Sequence, residues 1–236
     1  METNYFTISE TGKRPYNEDY LFAHPDSNLF LVCDGVGGSS KGEVASRKAC
    51  GTFADHLLGT SDFSVEGIEK ALVHTESQFD EYTRENPDAQ GMATTLTLLK
   101  LFPEKAVLAH IGDSRVYHIR DGEILFQTID HSFVNELVAS GFLTPEEAKT
   151  HPKRNQITRA IQGSEHPTYI DVHTVESIQE EDYFLLCSDG ILEAIDEDFI
   201  QRNFLKENNL EQLKGRILEI CRELSSDNFT AIVIKI

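Results

Sequence analysis

The stretch LFLVCDG at residues 29–35 joins a continuous apolar run to an aspartate and a glycine. A short apolar run bounded by glycine is typical of a buried strand, so we expect Asp34 to sit at the rim of the core. Asp113, Asp189 and Asp227 stand at the ends of other apolar runs in the same way. If these carboxylates converged, they would repel one another strongly unless cations lay between them. The sequence therefore predicts a carboxylate-lined site for hard divalent metals.

The bulk composition favours one globular domain that spans residues 1–236, because no linker or repeat divides the chain. A net charge of −19 argues against nucleic-acid binding and, through self-repulsion, favours a monomer. The four cysteines form no C-x-x-C pair, which fits reduced thiols in the cytoplasm. Met1–Ile8 lacks a signal-peptide pattern, and no apolar run approaches the roughly 18 residues of a membrane span. We expect a cytoplasmic protein without a membrane partner.

Apolar periodicity predicts an α+β fold. The predicted strands are Tyr5–Ser9, Tyr20–His24, Leu29–Cys33, Thr94–Leu101, Ala106–Ile111, Arg115–Arg120, Glu123–Gln127, Val172–Val175, Tyr183–Cys187 and Phe229–Ile236. The predicted helices are Gly42–Gly59, Ser64–Tyr82, Ser132–Ser140, Phe199–Asn208 and Leu210–Leu224. Short links between strands favour antiparallel pairing. We expect two packed antiparallel sheets with two helices on each outer face, and a flap insertion at about residues 132–163.

Asp34 is the best candidate to bridge two metal ions, because one carboxylate has two oxygens to share. Gly35 follows it without a side chain, so its backbone carbonyl could also approach a metal. Taken alone, Asp34-Gly35 is equally compatible with an ordinary turn. The glycines at 35, 37 and 38 fit neither the P-loop pattern nor G-x-G-x-x-G, which argues against a phosphate-binding loop of those kinds.

The chain resembles the metal-dependent Ser/Thr protein phosphatases of type 2C, in their compact bacterial form. The resemblance runs from about Tyr5 to Ile236 and rests on blocks that occur in the family's order. These blocks are Arg14 with Asn17-Glu18-Asp19, Asp34-Gly35-Val36-Gly37-Gly38, Gly91-Met92-Ala93-Thr94-Thr95, Gly112-Asp113-Ser114-Arg115, His131-Ser132, His151-Pro152, Asn155, Thr158-Arg159-Ala160, Ser188-Asp189-Gly190 and Asp227-Asn228-Phe229-Thr230. Each block is common alone, and their joint order is specific.

The resemblance implies a four-layer αββα sandwich with two Mn²⁺ or Mg²⁺ ions at one end. The implied metal ligands are Asp34 for both ions, Asp189 and Asp227 for the first, and Glu18 with the Gly35 carbonyl for the second. Asp19 would orient metal-bound water, although Glu18 and Asp19 could exchange roles. Asp113 matches a residue that helps hold a weaker third metal in bacterial members, but Asp113 could instead cap a turn.

The implied chemistry is hydrolysis of phosphoserine and phosphothreonine by a water that two metals activate. Arg14 matches the family's phosphate-binding arginine and can hold two phosphate oxygens at once. Alternatively, Arg14 forms a surface salt bridge with Glu18 or Asp19. Val36 occupies a position where many eukaryotic relatives have a histidine that can act as general acid. The leaving group must therefore take its proton from elsewhere, with water on a third ion near Asp113 as the candidate.

The predicted function is a metal-dependent phosphoprotein phosphatase whose partners are phosphorylated proteins, including a Ser/Thr kinase and its substrates. The rival hypotheses are a catalytically weak regulatory module of the same fold and a phosphatase for small esters. His131 and His151 are expected to organise the insertion rather than perform acid–base chemistry. The insertion is locally basic through Lys149, Lys153, Arg154 and Arg159, which is compatible with a contact surface for substrates or with solvation of a mobile flap.

Overall fold

The computed structural model describes residues 3–36 and 41–236. Within them the chain forms the strands β1 (Asn4–Glu10), β2 (Asp19–His24), β3 (Leu29–Asp34), β4 (Leu96–Leu101), β5 (Ala106–Ile111), β6 (Arg115–Arg120), β7 (Glu123–Gln127), β8 (Asp171–Val175), β9 (Tyr183–Cys187) and β10 (Phe229–Lys235). The helices are α1 (Gly42–Thr60), α2 (Val65–Glu85), α3 (Phe133–Ala139), α4 (Pro145–Thr150), α5 (Asp189–Leu192), α6 (Glu197–Asn203) and α7 (Leu210–Leu224). None of these helices is both long and apolar enough to cross a membrane.

The strands form two antiparallel sheets with the orders β1-β10-β9-β6-β7 and β2-β3-β4-β5-β8. The sheets pack face to face over an inner core that includes Phe30, Val32, Phe184 and Ile232. Successive side chains of a strand point to opposite faces, so Leu31 faces outwards and joins a second core beneath α1 and α2. Both faces of β3 are therefore buried, which explains why its sequence is apolar without alternation.

The outer faces of both sheets carry helices, which confirms the predicted α+β class and its four layers. Phe53 of α1 and Phe79 of α2 pack against the second sheet. Ile191 of α5, Ile200 of α6 and Ile217 of α7 pack against the first sheet. Three helices thus cover the first sheet where the sequence predicted two, because α5 is only four residues long and its sequence is too short to show helical periodicity.

The helix predicted for Phe199–Asn208 is wrong at both ends, because α6 begins at Glu197 and ends at Asn203. The side chain of Asp196 caps α6 by accepting a hydrogen bond from the Phe199 amide at 2.8 Å. Phe204 leaves the helix and buries its ring completely in the core of the first sheet. Burial of this ring, and not local helix propensity, decides where the helix ends.

The insertion contains two helices, α3 and α4, where one short helix was predicted. The missed helix α4 starts with a capping box, in which the Glu147 amide donates to the Thr144 side chain at 3.3 Å. The Thr144 amide in turn donates to the Glu147 carboxylate at 2.8 Å. An isolated bridge from Ser132 to Ile157 closes the insertion on itself, and a second bridge from Ile161 to Thr94 joins it to the end of the sandwich.

Candidate active site

One end of the second sheet holds the residues predicted around Asp34. Asp19 opens β2 and Asp34 ends β3, and the two lie directly opposite each other in the antiparallel ladder. The Gly35 amide donates to the Glu18 carbonyl at 3.1 Å, which keeps Glu18 beside the same loop. A Cβ atom at Gly35 would lie 2.8 Å from that carbonyl oxygen, so this close approach requires glycine. Gly37 and Gly38 of the predicted loop lie outside the described residues.

The first sheet brings two further aspartates to the same end of the sandwich. Asp189 begins α5 immediately after β9, and Asp227 lies just before β10. Because β9 and β10 are antiparallel neighbours, the end of one strand lies beside the start of the other. Asp113 comes from the turn between β5 and β6, one strand in each sheet. The fold therefore gathers at one end carboxylates that are far apart in sequence.

Asn228 joins the two sheets at the site, a role that sequence reasoning did not assign. Its Oδ1 atom accepts a hydrogen bond from the Glu18 amide at 2.8 Å. Its Nδ2 atom donates to the carbonyl oxygens of Thr11 and Tyr16 at 2.7 and 2.8 Å. The loop that carries Arg14 and Glu18 is thus fastened to the start of β10. The only sequence signal was an asparagine next to Asp227, and its partners lie more than 200 residues away.

A cavity of about 120 Å³ lies between these elements. The predicted site residues on its wall are Arg14, Glu18, Asp34, Gly35, Asp113, Asp189 and Asp227. Val36, Thr95, Asn155, Ile157 and Asn228 complete the lining. Asp19 is not part of the wall, because its carboxylate is buried behind it and accepts a hydrogen bond from the Ser188 hydroxyl at 2.7 Å. The structure therefore brings the predicted residues together and sets Asp19 behind the rest.

The carboxylates of the site are buried close to one another, which raises their pKa values. Burial, reinforced by the charges of neighbouring aspartates, raises the pKa of Asp34 well above its usual range. Burial, together with the charge of Asp189, likewise raises the pKa of Asp19 and of Asp113 to about 7 each. Burial and the charge of Asp227 raise the pKa of Asp189 to about 6. Without cations, the site holds protons in place of part of its negative charge.

The donor set fits hard divalent cations. The Oδ1 atom of Asp19 is buried and has no hydrogen-bond partner among the described residues. A buried carboxylate oxygen without a partner is costly, so it marks a position that a cation or an ordered water can satisfy. The available ligand atoms are carboxylate oxygens and the Gly35 carbonyl, which are the oxygen donors that Mg²⁺ and Mn²⁺ prefer. The residues present therefore fit a centre for such ions.

Arg14 lies on the open side of the cavity. Its Nη2 atom donates to the Asp227 carboxylate at 2.6 Å, and its side chain is half exposed. The hydrogen bond to Asp227 raises the pKa of Arg14 above its usual value. The alternative interpretation of Arg14, a salt bridge with Glu18 or Asp19, is wrong in its partner, because the ion pair joins Arg14 to Asp227. A half-exposed guanidinium at the cavity mouth can still reach an incoming anion.

A second group of potential metal ligands has a different explanation. His110, His131 and Asp171 offer three ligand atoms within 4.8 Å of one another. The Nδ1 atom of His131 accepts a hydrogen bond from the Gly112 amide at 3.1 Å, so a neutral ring carries its proton on Nε2. That Nε2 lies 3.0 Å from the Asp171 carboxylate, with the Arg159 guanidinium at the same distance. A protonated Nε2 beside a cation makes this a hydrogen-bonded network and not a metal site.

The insertion borders the cavity and a larger groove beside it. Asn155 and Ile157 reach the cavity wall, and the adjoining groove has a volume of about 580 Å³. The predicted positive charge of the insertion is partly neutralised, because Lys149 pairs with Glu146 at 2.8 Å and Arg159 pairs with Asp171 at 3.0 Å. The insertion therefore offers less net positive charge to a substrate than the sequence suggested.

Comparison with known proteins assigns the chain to a family. Residues 11–223 match the family profile described as Protein phosphatase 2C. The chain is 35% identical over 240 residues to "Serine/threonine protein phosphatase PstP" of Mycobacterium tuberculosis, which covers 97% of this chain and 44% of PstP. It is 36% identical over 195 residues to "Protein phosphatase PhpP" of Streptococcus pneumoniae, which covers 80% of this chain and 78% of PhpP.

The fold agrees with these sequence matches. A crystal structure of the PstP catalytic domain in complex with two manganese ions superposes with a TM-score of 0.83 and 32% identity. The superposition covers 99% of this chain and 97% of that one. The chain spans less than half the length of full PstP, so the comparison concerns one domain of that relative. The profile, the relatives and the superposition agree, and this chain belongs to the protein phosphatase 2C family of metal-dependent Ser/Thr protein phosphatases.

Proposed function

We propose that this chain hydrolyses phosphoserine and phosphothreonine monoesters in proteins with the help of Mn²⁺ or Mg²⁺. The observation that carries this proposal is one cavity in which carboxylates from both sheets face a single arginine. The raised pKa values of Asp34, Asp113 and Asp189 support a site completed by cations. The two manganese ions of the PstP catalytic domain support the same choice of metal.

The proposed ligands are those that the family resemblance implies, and all of them line the cavity. Asp34 lies between the two sheets and would contact two core ions, with Asp189 and Asp227 on one side and Glu18 with the Gly35 carbonyl on the other. Asp113 would hold a weaker third ion. When bound, such ions provide a nucleophile at neutral pH and offset the charge of the phosphoryl oxygens. Asp19, held by the Ser188 hydroxyl, would accept a hydrogen bond from water at the centre and so keep that water oriented.

The remaining steps fall to residues of the cavity mouth. Arg14 would leave Asp227 in part and bind two oxygens of the substrate phosphate, which positions the phosphorus atom over the carboxylates. Val36 lines the cavity and has no proton to donate. The departing serine or threonine oxygen would therefore receive its proton from a water molecule on the side of the cavity that carries Asp113.

The proposal extends to partners only through the relatives. PstP and PhpP are named protein phosphatases, which supports phosphorylated proteins as substrates. A Ser/Thr kinase as partner, a monomeric state and a cytoplasmic location stay predictions. The matches to named phosphatases favour an enzyme over the catalytically weak regulatory module.

The test is hydrolysis of a phosphothreonine peptide by the purified protein with Mn²⁺, with Mg²⁺ and after EDTA. We expect turnover that needs added metal and disappears with chelator. A parallel assay with a small aryl phosphate distinguishes the small-ester hypothesis, which requires higher kcat/KM on the ester than on the peptide. Absence of peptide hydrolysis with every metal, in protein shown to be folded by circular dichroism, would refute the proposal.

A further inference from the structure

His131 connects three segments that meet beside the candidate active site. Its backbone amide donates to the Gly112 carbonyl at 2.9 Å, and its Nδ1 atom accepts from the Gly112 amide at 3.1 Å. Its own carbonyl accepts from the Thr158 amide at 2.8 Å, inside the insertion. Two hydrogen bonds thus hold the residue that precedes Asp113, and a third reaches the insertion.

Gly112 is also packed closely against Thr95, which restricts its backbone. Its φ of +97° lies in the region that favours glycine, and a Cβ atom there would lie 2.5 Å from Cγ2 of Thr95. The Thr95 hydroxyl bonds to Ser114 at 2.7 Å and accepts from the Asp34 amide at 3.0 Å. The peptide that leads into Asp113 is therefore held between Thr95, which also holds Asp34, and the ring of His131.

The opposite edge of the His131 ring reaches the insertion. A ring whose Nδ1 accepts an amide proton carries its own proton on Nε2, and this Nε2–H donates to the Asp171 carboxylate at 3.0 Å. Asp171 also accepts from Arg159 at 3.0 Å, and Arg159 belongs to the insertion. The ring of His110 stacks on His131 at 4.3 Å between centroids, which restricts rotation of the imidazole.

We propose that His131 is a positioning residue that fixes the Gly112–Asp113 turn through Nδ1 and ties that turn to the insertion through Nε2, Asp171 and Arg159. The catalytic consequence rests on the proposed function, because it requires Asp113 to act in turnover. The structural part, a defined tautomer and a defined partner for the Gly112 amide, does not depend on that function.

Two substitutions separate the two edges of the ring. His131→Asn keeps an acceptor near the position of Nδ1 but cannot reach Asp171. His131→Gln places an amide near Nε2 and removes the acceptor for Gly112. We expect His131→Gln to lower kcat about tenfold with KM little changed, the size expected for one backbone hydrogen bond. We expect His131→Asn to stay within about threefold of wild type. His173→Gln is the matched control and should change kcat less than about twofold, because His173 is exposed on β8 and its ring stacks on Phe126.

Nuclear magnetic resonance of the metal-free protein supplies readouts other than activity. Long-range ¹H–¹⁵N spectra should show the Nε2–H tautomer of His131, and the Gly112 amide should exchange slowly in wild type and in His131→Asn but rapidly in His131→Gln. Calorimetric titration with Mn²⁺ should show weakening of the lowest-affinity binding step in His131→Gln alone.

The outcomes distinguish this proposal from the proposed function. An Nδ1–H tautomer, or a Gly112 amide that exchanges rapidly in wild type, overturns the proposal whatever the enzyme does. Equal losses of kcat in the asparagine and glutamine variants also overturn it, because they indicate only a structural role. If wild type hydrolyses no phosphopeptide yet shows the expected tautomer and slow Gly112 exchange, the proposed function fails and the structural part stands. If His131→Gln does not fold, the His131 tautomer and the Gly112 exchange rate of the wild-type protein still test the proposal.

Discussion

Strand β9 has an acidic residue at each end, and the two ends differ in how their charge is balanced. Asp182 precedes the strand and is fully buried. It accepts hydrogen bonds from Arg120 at 2.6 and 2.9 Å, from His118 at 2.8 Å and from the Gln179 amide at 2.9 Å. Burial alone would raise the pKa of Asp182, but these donors outweigh it and lower the pKa to about 2.

Asp189, at the other end of β9, has the opposite shift. Burial and the charge of Asp227 raise its pKa to about 6, and its neighbours are the further carboxylates of the cavity. Burial is therefore not what distinguishes a structural aspartate from a functional one in this molecule. The source of the compensating cation distinguishes them, because the chain supplies it to Asp182 and, in the function that we propose, a metal ion supplies it to Asp189.

Removing the central carboxylate tests this contrast most severely. Asp34→Asn should lower turnover by more than about 100-fold, since loss of preorganised charge at a reacting centre typically has an effect of this size or larger. The same variant should be at least as stable as wild type without metal, because a neutral amide replaces a buried carboxyl whose charged form is unfavourable there. Steady-state kinetics and urea unfolding in EDTA measure the two effects. Retention of a tenth of wild-type turnover would contradict the role of Asp34.

The matched change at the other end of β9 should affect stability and not turnover. Asp182→Asn leaves the Arg120 cation without its counter-charge and disturbs the hydrogen bond between His118 and residue 182. A fully buried pair broken in this way loses about 3–5 kcal/mol, and we expect about 2–3 kcal/mol because the Arg120 side chain is one-third exposed. Urea unfolding measures the loss, and kcat measured well below the melting temperature should be unchanged. A large fall in kcat of the folded variant would contradict the distinction between a structural Asp182 and the carboxylates of the cavity.

The crowded carboxylates of the cavity region and the paired Asp182 should also respond oppositely to pH. The pKa values of Asp19 and Asp113 are raised to about 7, against about 3.9 in an unfolded chain. The folded metal-free protein therefore binds more protons than the unfolded one, so this stabilisation is present below about pH 4 and is lost as pH rises through about 7. The lowered pKa of Asp182 stabilises the fold above about pH 4, and this contribution disappears as pH falls towards 2.

Unfolding with urea at pH 5, 6.5 and 8 in EDTA measures this response. We expect the free energy of unfolding to fall from pH 5 to 8 without metal, with each kcal/mol lowering the melting temperature by about 2–4 °C in a domain of this size. Saturating Mg²⁺ should remove most of the fall, and Asp34→Asn should show a shallower slope. A metal-free protein that gains stability over this range would show that the carboxylates are not crowded in solution.

Sequence patterns predicted the acidic end of β9 better than the paired end. Asp34, Asp113, Asp189 and Asp227 could be found because each follows or precedes an apolar run, and a strand end fixes its position in space. Asp182 lies in the polar run Glu180-Glu181-Asp182, which gave no sign of burial. Its partners Arg120 and His118 lie on another strand, and pairing of β6 with β9 is a long-range contact that local periodicity does not encode.

Other errors have the same origin. The end of α6 depends on where the Phe204 ring is buried, and the role of Asn228 depends on carbonyls from the first twenty residues. Charge in the insertion was overestimated because the pairing of Arg159 with Asp171 requires the tertiary fold. Strand positions, the layered class and the acidic residues follow from local sequence, whereas partners across the sandwich do not.

Substitution of Arg14 should have the smallest effect on stability and turnover. Arg14 is a cation that the chain itself supplies to the carboxylates of the cavity. Its pair with Asp227 is half exposed, so Arg14→Ala should change stability by less than about 1 kcal/mol. In turnover, loss of a phosphate contact that forms equally in the ground and transition states should raise KM about tenfold and leave kcat nearly unchanged. Arg14→Lys keeps the charge without the bidentate geometry, so its KM should fall between those of wild type and Arg14→Ala.

If Arg14→Ala instead lowered kcat at constant KM, Arg14 would act on the transition state and not on the bound phosphate. If neither parameter changed, its place at the cavity mouth would serve only to neutralise Asp227, as Arg120 neutralises Asp182.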